Sequence, residues 1–223
     1  MAAERHREAV KTDCPETQAM SFYQERILPH LINLAMRNRE LASYRERTIS
    51  AAEGRVLEVG IGSGLNLPFY RRTVRELLGL DPSAKLLAMS RGAAHRSSVP
   101  VTFVEASAEA IPLDDRSIDS VVLTWTLCSI PAAPQALSEM RRVLKPGGHL
   151  LFVEHGRSPD RKVRRWQDWL NPAWKRIGGG CHLNRPIGSL IEEAGFAITE
   201  LETGYIKRPN PMKYLYQGRA KPA

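Results

Sequence analysis

Short apolar runs alternate with stretches of helical spacing along most of the chain. Arg55–Val59, Val74–Leu80, Val101–Val104, Ile118–Thr124 and His149–Glu154 are compact apolar or β-branched runs of strand length. Helical patterns lie between them at Ser83–Ala94 and Pro134–Leu144. This rhythm predicts a parallel sheet covered by helices on both faces. A further helix is expected over Asn184–Ala194, closed by Gly195. Phe196–Thr203 and Pro211–Arg219 then read as two more strands, and their short link suits an antiparallel pair at one sheet edge.

Two segments do not fit that alternation. Pro15–Ala51 carries Phe22, Ile27, Leu31, Leu34, Met36 and Leu41 near helical spacing. It predicts a helical cover over 16–51, kinked or divided at Pro29. Residues 1–15 are charged, poor in large apolar side chains, and expected to be disordered. Gly156–Leu183 is a long connection after the fifth strand, with a helix expected at Arg161–Leu170, then Asn171-Pro172 and a glycine run before Cys181-His182. It leaves the carboxyl edge of the sheet, where open α/β folds bind ligands, so 156–183 is expected to be an active-site insertion. A length of 223 residues suits one domain spanning 1–223.

Composition narrows the partners. No apolar run is long enough to span a membrane and Met1–Thr12 has no apolar signal region, so a cytoplasmic protein is expected. Three cysteines argue against a disulfide framework. The net charge of +8 fits a solvated basic surface, or one that attracts anionic lipid, acidic substrate or nucleic acid. Arg157, Arg161, Lys162, Arg164 and Arg165 cluster beside Trp166 and Trp169, which leaves peripheral membrane contact open.

The strongest chemical signal is Glu58-Val59-Gly60-Ile61-Gly62-Ser63-Gly64, directly after the first strand. Glycines there let the backbone turn sharply and approach a ligand. The spacing is G-x-G-x-G rather than the dinucleotide G-x-G-x-x-G. The preceding carboxylate would repel a diphosphate. It suits S-adenosylmethionine (SAM), which has no phosphate and carries an ammonium on its methionine end. Asp81 follows about twenty residues later, the spacing of a ribose-binding carboxylate, with a helix N-cap as the alternative. Ala106–Pro112, with Ser107, Ala108 and Glu109, should reach the adenine, and Thr124–Ser129 should lie beneath the methyl group. Leu144-Lys145-Pro146-Gly147-Gly148 reads as a helix stop and turn.

This ordered set resembles the class I SAM-dependent methyltransferases, over about Phe22 to Arg219. The resemblance implies a Rossmann-like seven-stranded, mostly parallel sheet with an antiparallel C-terminal edge strand. It implies that Glu58, Gly60, Gly62 and Gly64 form the methionine-side loop, with Asp81 on the ribose, Ala108 and Glu109 at the adenine and the Thr124 backbone near the amino group. Asn66, Pro82, Ser107 and Leu127 complete the expected cofactor set, with Tyr23 as a contact from the N-terminal cover. SAM is the expected cofactor and S-adenosylhomocysteine its product. Leu127–Ile130, Val153-Glu154-His155, Asn171–Trp174 and Gly180–Leu183 further resemble the methyltransferase-like 7 group, whose members methylate small alkyl thiols. Eukaryotic members carry an N-terminal hydrophobic anchoring stretch where this chain is polar.

Methyl transfer is a displacement in which the protein aligns and desolvates the nucleophile. A thiol with a pKa of roughly 8.5 would gain from a nearby base. His155, at the end of the fifth strand, and His182, in the insertion, are the candidates, each with a structural histidine as the alternative. His149 begins the strand, at the wrong end of the sheet. Trp125, Cys128, Trp174 and Cys181 are expected around a small-molecule substrate, with core packing as the alternative for the tryptophans. No C-x-x-C or H-x3-H pairing is present, so neither a metal site nor trivalent arsenic capture is expected. Methylation of a quinone precursor or a phospholipid amine is the alternative reaction. Nucleic-acid methylation is disfavoured: Thr124-Trp125-Thr126-Leu127 stands where base-amino enzymes carry an Asn/Asp-Pro-Pro-aromatic motif. The oligomeric state is left open.

Overall fold

The computed structural model describes residues 23–223, so the expected disorder of 1–15 and the start of the N-terminal cover lie outside the described residues. Seven strands form one sheet: β1 (Gly54–Val59), β2 (Val74–Asp81), β3 (Val101–Glu105), β4 (Ile118–Thr124), β5 (Leu144–His155), β6 (Phe196–Tyr205) and β7 (Tyr214–Pro222). Their order is β3-β2-β1-β4-β5-β7-β6. The first five pair in parallel, whereas β7 runs antiparallel to both β5 and β6. The chain reverses its direction of travel between β3 and β4, so β1 and β4 flank the switch point where such sheets bind ligands.

Strand alternation divides the core. Leu57, Val59, Val121, Leu123, Leu150 and Phe152 face one side, against Ala136, Leu137 and Met140 of α4 (Ala133–Val143) and Ile187 and Ile191 of α6 (Ile187–Glu193). Val56, Leu77, Val122 and Leu151 face the other, with Ile49, Leu67 and Leu87. Ile49 ends α2 (Arg39–Ile49) and Leu87 lies in α3 (Ala84–Gly92).

Element boundaries depart from expectation in three places. The N-terminal helix divides at Pro29 by a change of type, a π-helical stretch at Tyr23–Ile27 giving way to α1 (Leu28–Met36). A second break, not expected, falls at Asn38, whose side chain accepts from Glu40 N and starts α2. Pro172 does not end the insertion's helix: α5 runs Arg161–Ile177 through it. Its start is capped by Asp160, which accepts from Lys162 N and Val163 N, and Val163 and Gln167 anchor its inner face. Leu144–Gly148 is not a separate turn but the irregular beginning of β5, with a register shift against β4 and Gly147 at φ +82°. Among the described residues, no helix is long and apolar enough to cross a membrane.

Candidate active site

A cavity of about 350 Å³ opens at the carboxyl ends of β1, β2 and β4. Its floor is the glycine loop. Gly60 N and Ile61 N both donate to Leu80 O, and Gly62 N donates to Asp81 Oδ2, so the loop is strapped across the end of β2. Gly60 (φ +74°) lies against Thr126, where a Cβ would come within 2.4 Å of the side chain. Gly62 (φ +56°) faces the cavity; an added Cβ there would meet only its own loop's carbonyl, and would occupy the space a ligand needs. Gly64 packs against Leu67 and Ser90 beneath the loop, away from the cavity wall.

Asp81 is not the helix N-cap weighed as its alternative, since Ser83 caps α3 by accepting from Leu86 N. Asp81 lines the cavity, and its Oδ1 accepts from Ser83 N at 2.9 Å at the entrance to α3. Burial raises its pKa, while the bonds from Ser83 and Gly62 oppose that rise. Each carboxylate oxygen accepts one bond and keeps capacity for a sugar hydroxyl. Leu80, Pro82, Leu86, Ala108 and Ile130 add the apolar surface that a purine requires.

Glu58 is buried beneath this floor. Oε1 accepts from Asn66 Nδ2 at 2.7 Å and Oε2 from the Tyr70 hydroxyl at 2.8 Å. Burial pushes its pKa up to about 7 against those hydrogen bonds. Asn66 passes the contact onward: Nδ2 also donates to Thr124 Oγ1 and Oδ1 accepts from Arg45 Nη1 at 2.7 Å. Asn66 and Arg45 line the cavity; Glu58 does not. Arg45 reaches in from α2, with its guanidinium 4.7 Å from the Trp125 ring centroid, and burial lowers its pKa to about 10. Only its place on a helix with an apolar stripe signalled it in the sequence.

The part of the cavity expected to take adenine is braced by Glu109. Its carboxylate accepts from Ala132 N and from the Ser107 hydroxyl, which places Ser107 and Ala108 on the wall and Glu109 itself behind them. At the opposite end, Trp125 adopts φ +52° and donates its N–H to Val153 O. The following turn is held by Glu154, a residue for which the sequence suggests no role of its own. Glu154 is fully buried, and its Oε1 accepts from Thr126 N at 2.7 Å and Leu127 N at 3.0 Å. Its Oε2 has no partner, and burial raises its pKa to about 7. Leu127 is thereby a buried backbone anchor rather than part of the wall.

The N-terminal cover closes the cavity with Leu28, Ile32, Asn33 and Met36 of α1. Asn33 Oδ1 accepts from the Ser63 hydroxyl of the glycine loop at 2.7 Å. Tyr23 does not line the cavity; its hydroxyl donates to Ile177 O at 2.8 Å and ties the cover to the end of α5.

Of the expected acceptor residues Trp125 lines the cavity, and the others cluster one layer behind its wall. His155 Nε2 lies 3.1 Å from Cys181 Sγ, and Cys128 completes a group whose ligand atoms all lie within 4.8 Å of one another. Cys128 beside it, together with burial, pushes the Cys181 thiol up; for His155, burial opposes and the contact with Cys181 favours a raised pKa. His182 donates its backbone N–H to Cys128 O, and Trp174 packs on Gly178. None of these five lines the cavity, whereas Ser129 and Gly179 beside them do. Sequence spacing could not find the trio, because its members come from the turn after β4, the end of β5 and the turn after α5. His149 does not begin β5 as expected but lies midway along it, opposite Ser120 of β4 and away from the carboxyl edge where the cavity opens.

Comparisons with known proteins agree with this architecture. The Methyltransferase domain family (Methyltransf_11) matches residues 57–152. Human Thiol S-methyltransferase TMT1B is 38% identical over 189 residues, covering 82% of this chain and 75% of the relative. Human Thiol S-methyltransferase TMT1A is 33% identical over 173 residues, covering 76% and 71%. The crystal structure of the N-methyltransferase NodS from Bradyrhizobium japonicum with S-adenosyl-L-homocysteine superposes with a TM-score of 0.66 at 14% identity, over 92% of this chain and 97% of that one.

Proposed function

From a chain that belongs to the SAM-dependent methyltransferase family of TMT1A and TMT1B, we propose an enzyme that methylates the sulfur of small lipophilic thiols. The observation that carries this reading is the charge on the cavity wall. Among the described residues, Arg45 and Asp81 are the only charged side chains lining it, and Asp81 belongs to the ribose end. The remaining wall offers Leu28, Ile32, Met36, Trp125, Ile130 and Pro131 with a few hydroxyls. No carboxylate stands there to hold an ammonium or to take a proton from a poorly acidic group. A thiol can react without either: with a pKa of roughly 8.5 a few per cent is already thiolate at neutral pH, and Arg45 favours the anion.

When bound, SAM supplies a methyl group on a cationic sulfur. In this reading the Gly60–Gly64 loop and Asn66 receive the methionine end, Asp81 and Pro82 the ribose, and Ser107 and Ala108 the adenine. Glu58 acts from below by orienting Asn66, and Glu109 by bracing Ser107. The apolar cover of α1 excludes water from the acceptor. His155 and His182 are positioning residues: one holds Cys181, the other Cys128 O, and both set the turn that carries Gly179 to the wall.

A partner surface accompanies this reading. Trp166, Trp169 and Ile177 are 57%, 71% and 57% exposed on α5, beside Arg161, Lys162, Arg165, Lys175 and Arg176. Aromatic side chains flanked by cations suit an anionic lipid surface, from which lipophilic thiols would enter. The deciding experiment incubates the full chain with SAM and matched panels of alkyl thiols, quinols and phosphatidylethanolamine, with and without anionic vesicles. Methylation of thiols, at a KM lowered by vesicles, is expected. Turnover of quinols or lipid amines alone would overturn the thiol reading.

A further inference from the structure

Cys128, His155 and Cys181 form the densest group of soft ligand atoms among the described residues, and the proposed methyl transfer has no direct use for them. A tetrahedral zinc ion with bonds of about 2.3 Å to sulfur and 2.0–2.1 Å to nitrogen sets its ligand atoms about 3.6–3.8 Å apart. The three ligand atoms already lie within 4.8 Å of one another, and His155 Nε2 and Cys181 Sγ, at 3.1 Å, need to part by only about half an ångström. Each ligand is held from behind. Cys128 sits on the turn fastened by Glu154, His155 ends a strand paired on both sides, and Cys181 follows a turn closed by Cys181 N donating to Gly178 O.

We propose that Cys128 Sγ, Cys181 Sγ and His155 Nε2 bind one thiophilic divalent ion of the zinc class. Binding displaces two thiol protons to solvent and needs no oxidant or reductant. Two thiolates, a neutral imidazole and a dication carry no net charge, which suits a largely buried position. Ligation through Nε2 would place the His155 proton on Nδ1, which is buried without a hydrogen-bond partner. Arg185, whose guanidinium donates to Leu127 O and feels both cysteines, steadies the thiolates once they form. Three protein ligands leave a fourth position. Ser129, with Oγ 3.6 Å from Cys128 Sγ, lines the cavity, so the site adjoins its acceptor end. The ion would clasp the turn after β4 to the turn after α5, whatever the acceptor.

The test titrates cobalt(II), then zinc(II), into the reduced full chain under anaerobic conditions and follows thiolate-to-cobalt absorption. One equivalent of cobalt producing that band, displaced by zinc, is expected. Cys128→Ser and Cys181→Ser should each lose it, and Cys14→Ser should keep it. His155→Ala should weaken binding by more than the roughly 10–100-fold that loss of an outer partner costs. No thiolate band in the wild-type chain, or one lost only with Cys14, overturns the site. Alkylation of the wild-type chain avoids reliance on variants that fail to fold. Zinc should protect Cys128 and Cys181 and leave Cys14 reactive, and equal labelling with and without zinc refutes the site. Neither readout depends on which acceptor is methylated.

Discussion

The cofactor end and the acceptor end of the cavity are built differently. The cofactor end consists of strand termini and the loop between them. Its polar groups are tied in two chains, one from Tyr70 and Glu58 to Asn66, which hands on to Arg45 at the acceptor end, and one from Gly62 through Asp81 to Ser83. The acceptor end is gathered from four separate segments, the start of α1, the turn after β4, the end of β5 and the turn after α5. A rigid sheet edge can present the same face to the same cofactor, while joined segments can be reshaped one at a time for a different acceptor.

The contrast predicts unequal consequences for substitutions. The largest belongs to Asp81→Ala. It removes the proposed ribose acceptor and leaves Gly62 N and Ser83 N without their buried partner. A loss of about 3 kcal/mol, or roughly 100-fold in SAM affinity by calorimetry, is expected. Retention of affinity within a few-fold would break the comparison at its strong end.

Next comes Glu154→Gln, which tests the joint between the two ends through stability. Burial lifts the Glu154 pKa from 4.5 to about 7. A folded-state value above the unfolded one means that the protonated form is favoured in the fold, so its contribution is full below about pH 4.5 and is lost as pH rises through 7. Glutamine keeps the acceptor for Thr126 N and Leu127 N without the charge. The wild type should lose about 2–3 kcal/mol more stability than the variant between pH 5 and pH 8, read as melting temperature. Equal losses would show that Glu154 is ionised in the fold at no cost.

His155→Ala should lower kcat about tenfold and change SAM affinity by less than about threefold, because the imidazole positions the acceptor wall only. The opposite split would move His155 to the cofactor end. The smallest effect belongs to Tyr23→Phe, which removes the bond to Ile177 O at an exposed site. A two- to threefold faster SAM dissociation by stopped flow is expected, worth about 0.5 kcal/mol.

The same contrast explains what could be read from the chain. The five parallel strands, the glycine loop and Asp81 were legible because each imposes a local demand: β-branched runs, residues free to take positive φ, a carboxylate at the end of β2. The acceptor end imposes no such demand. Glu154 sits in a strand that reads simply as apolar, and its role appears only when the turn after β4 folds over it. Arg45 resembles any charged position on a helix until α2 lies across the sheet. The Cys128–His155–Cys181 group joins residues up to 53 positions apart, beyond any spacing rule. Pro172 misleads for the opposite reason, since a local helix breaker is overruled by a capped amphipathic helix whose inner face is anchored.

The cover helix α1 is fastened to the body by contacts at its two ends and its middle: Tyr23 to Ile177 O just before it, Asn33 to Ser63 within it, and Met36 O to Arg45 at its close. Each is a single hydrogen bond, and Leu31 and Leu34 on its outer side are exposed. Such a segment opens by breaking a few weak bonds without disturbing the sheet. If spent cofactor leaves only when this segment lifts, turnover should slow as the viscosity of the medium is raised, and turnover indifferent to viscosity would place the slow step elsewhere.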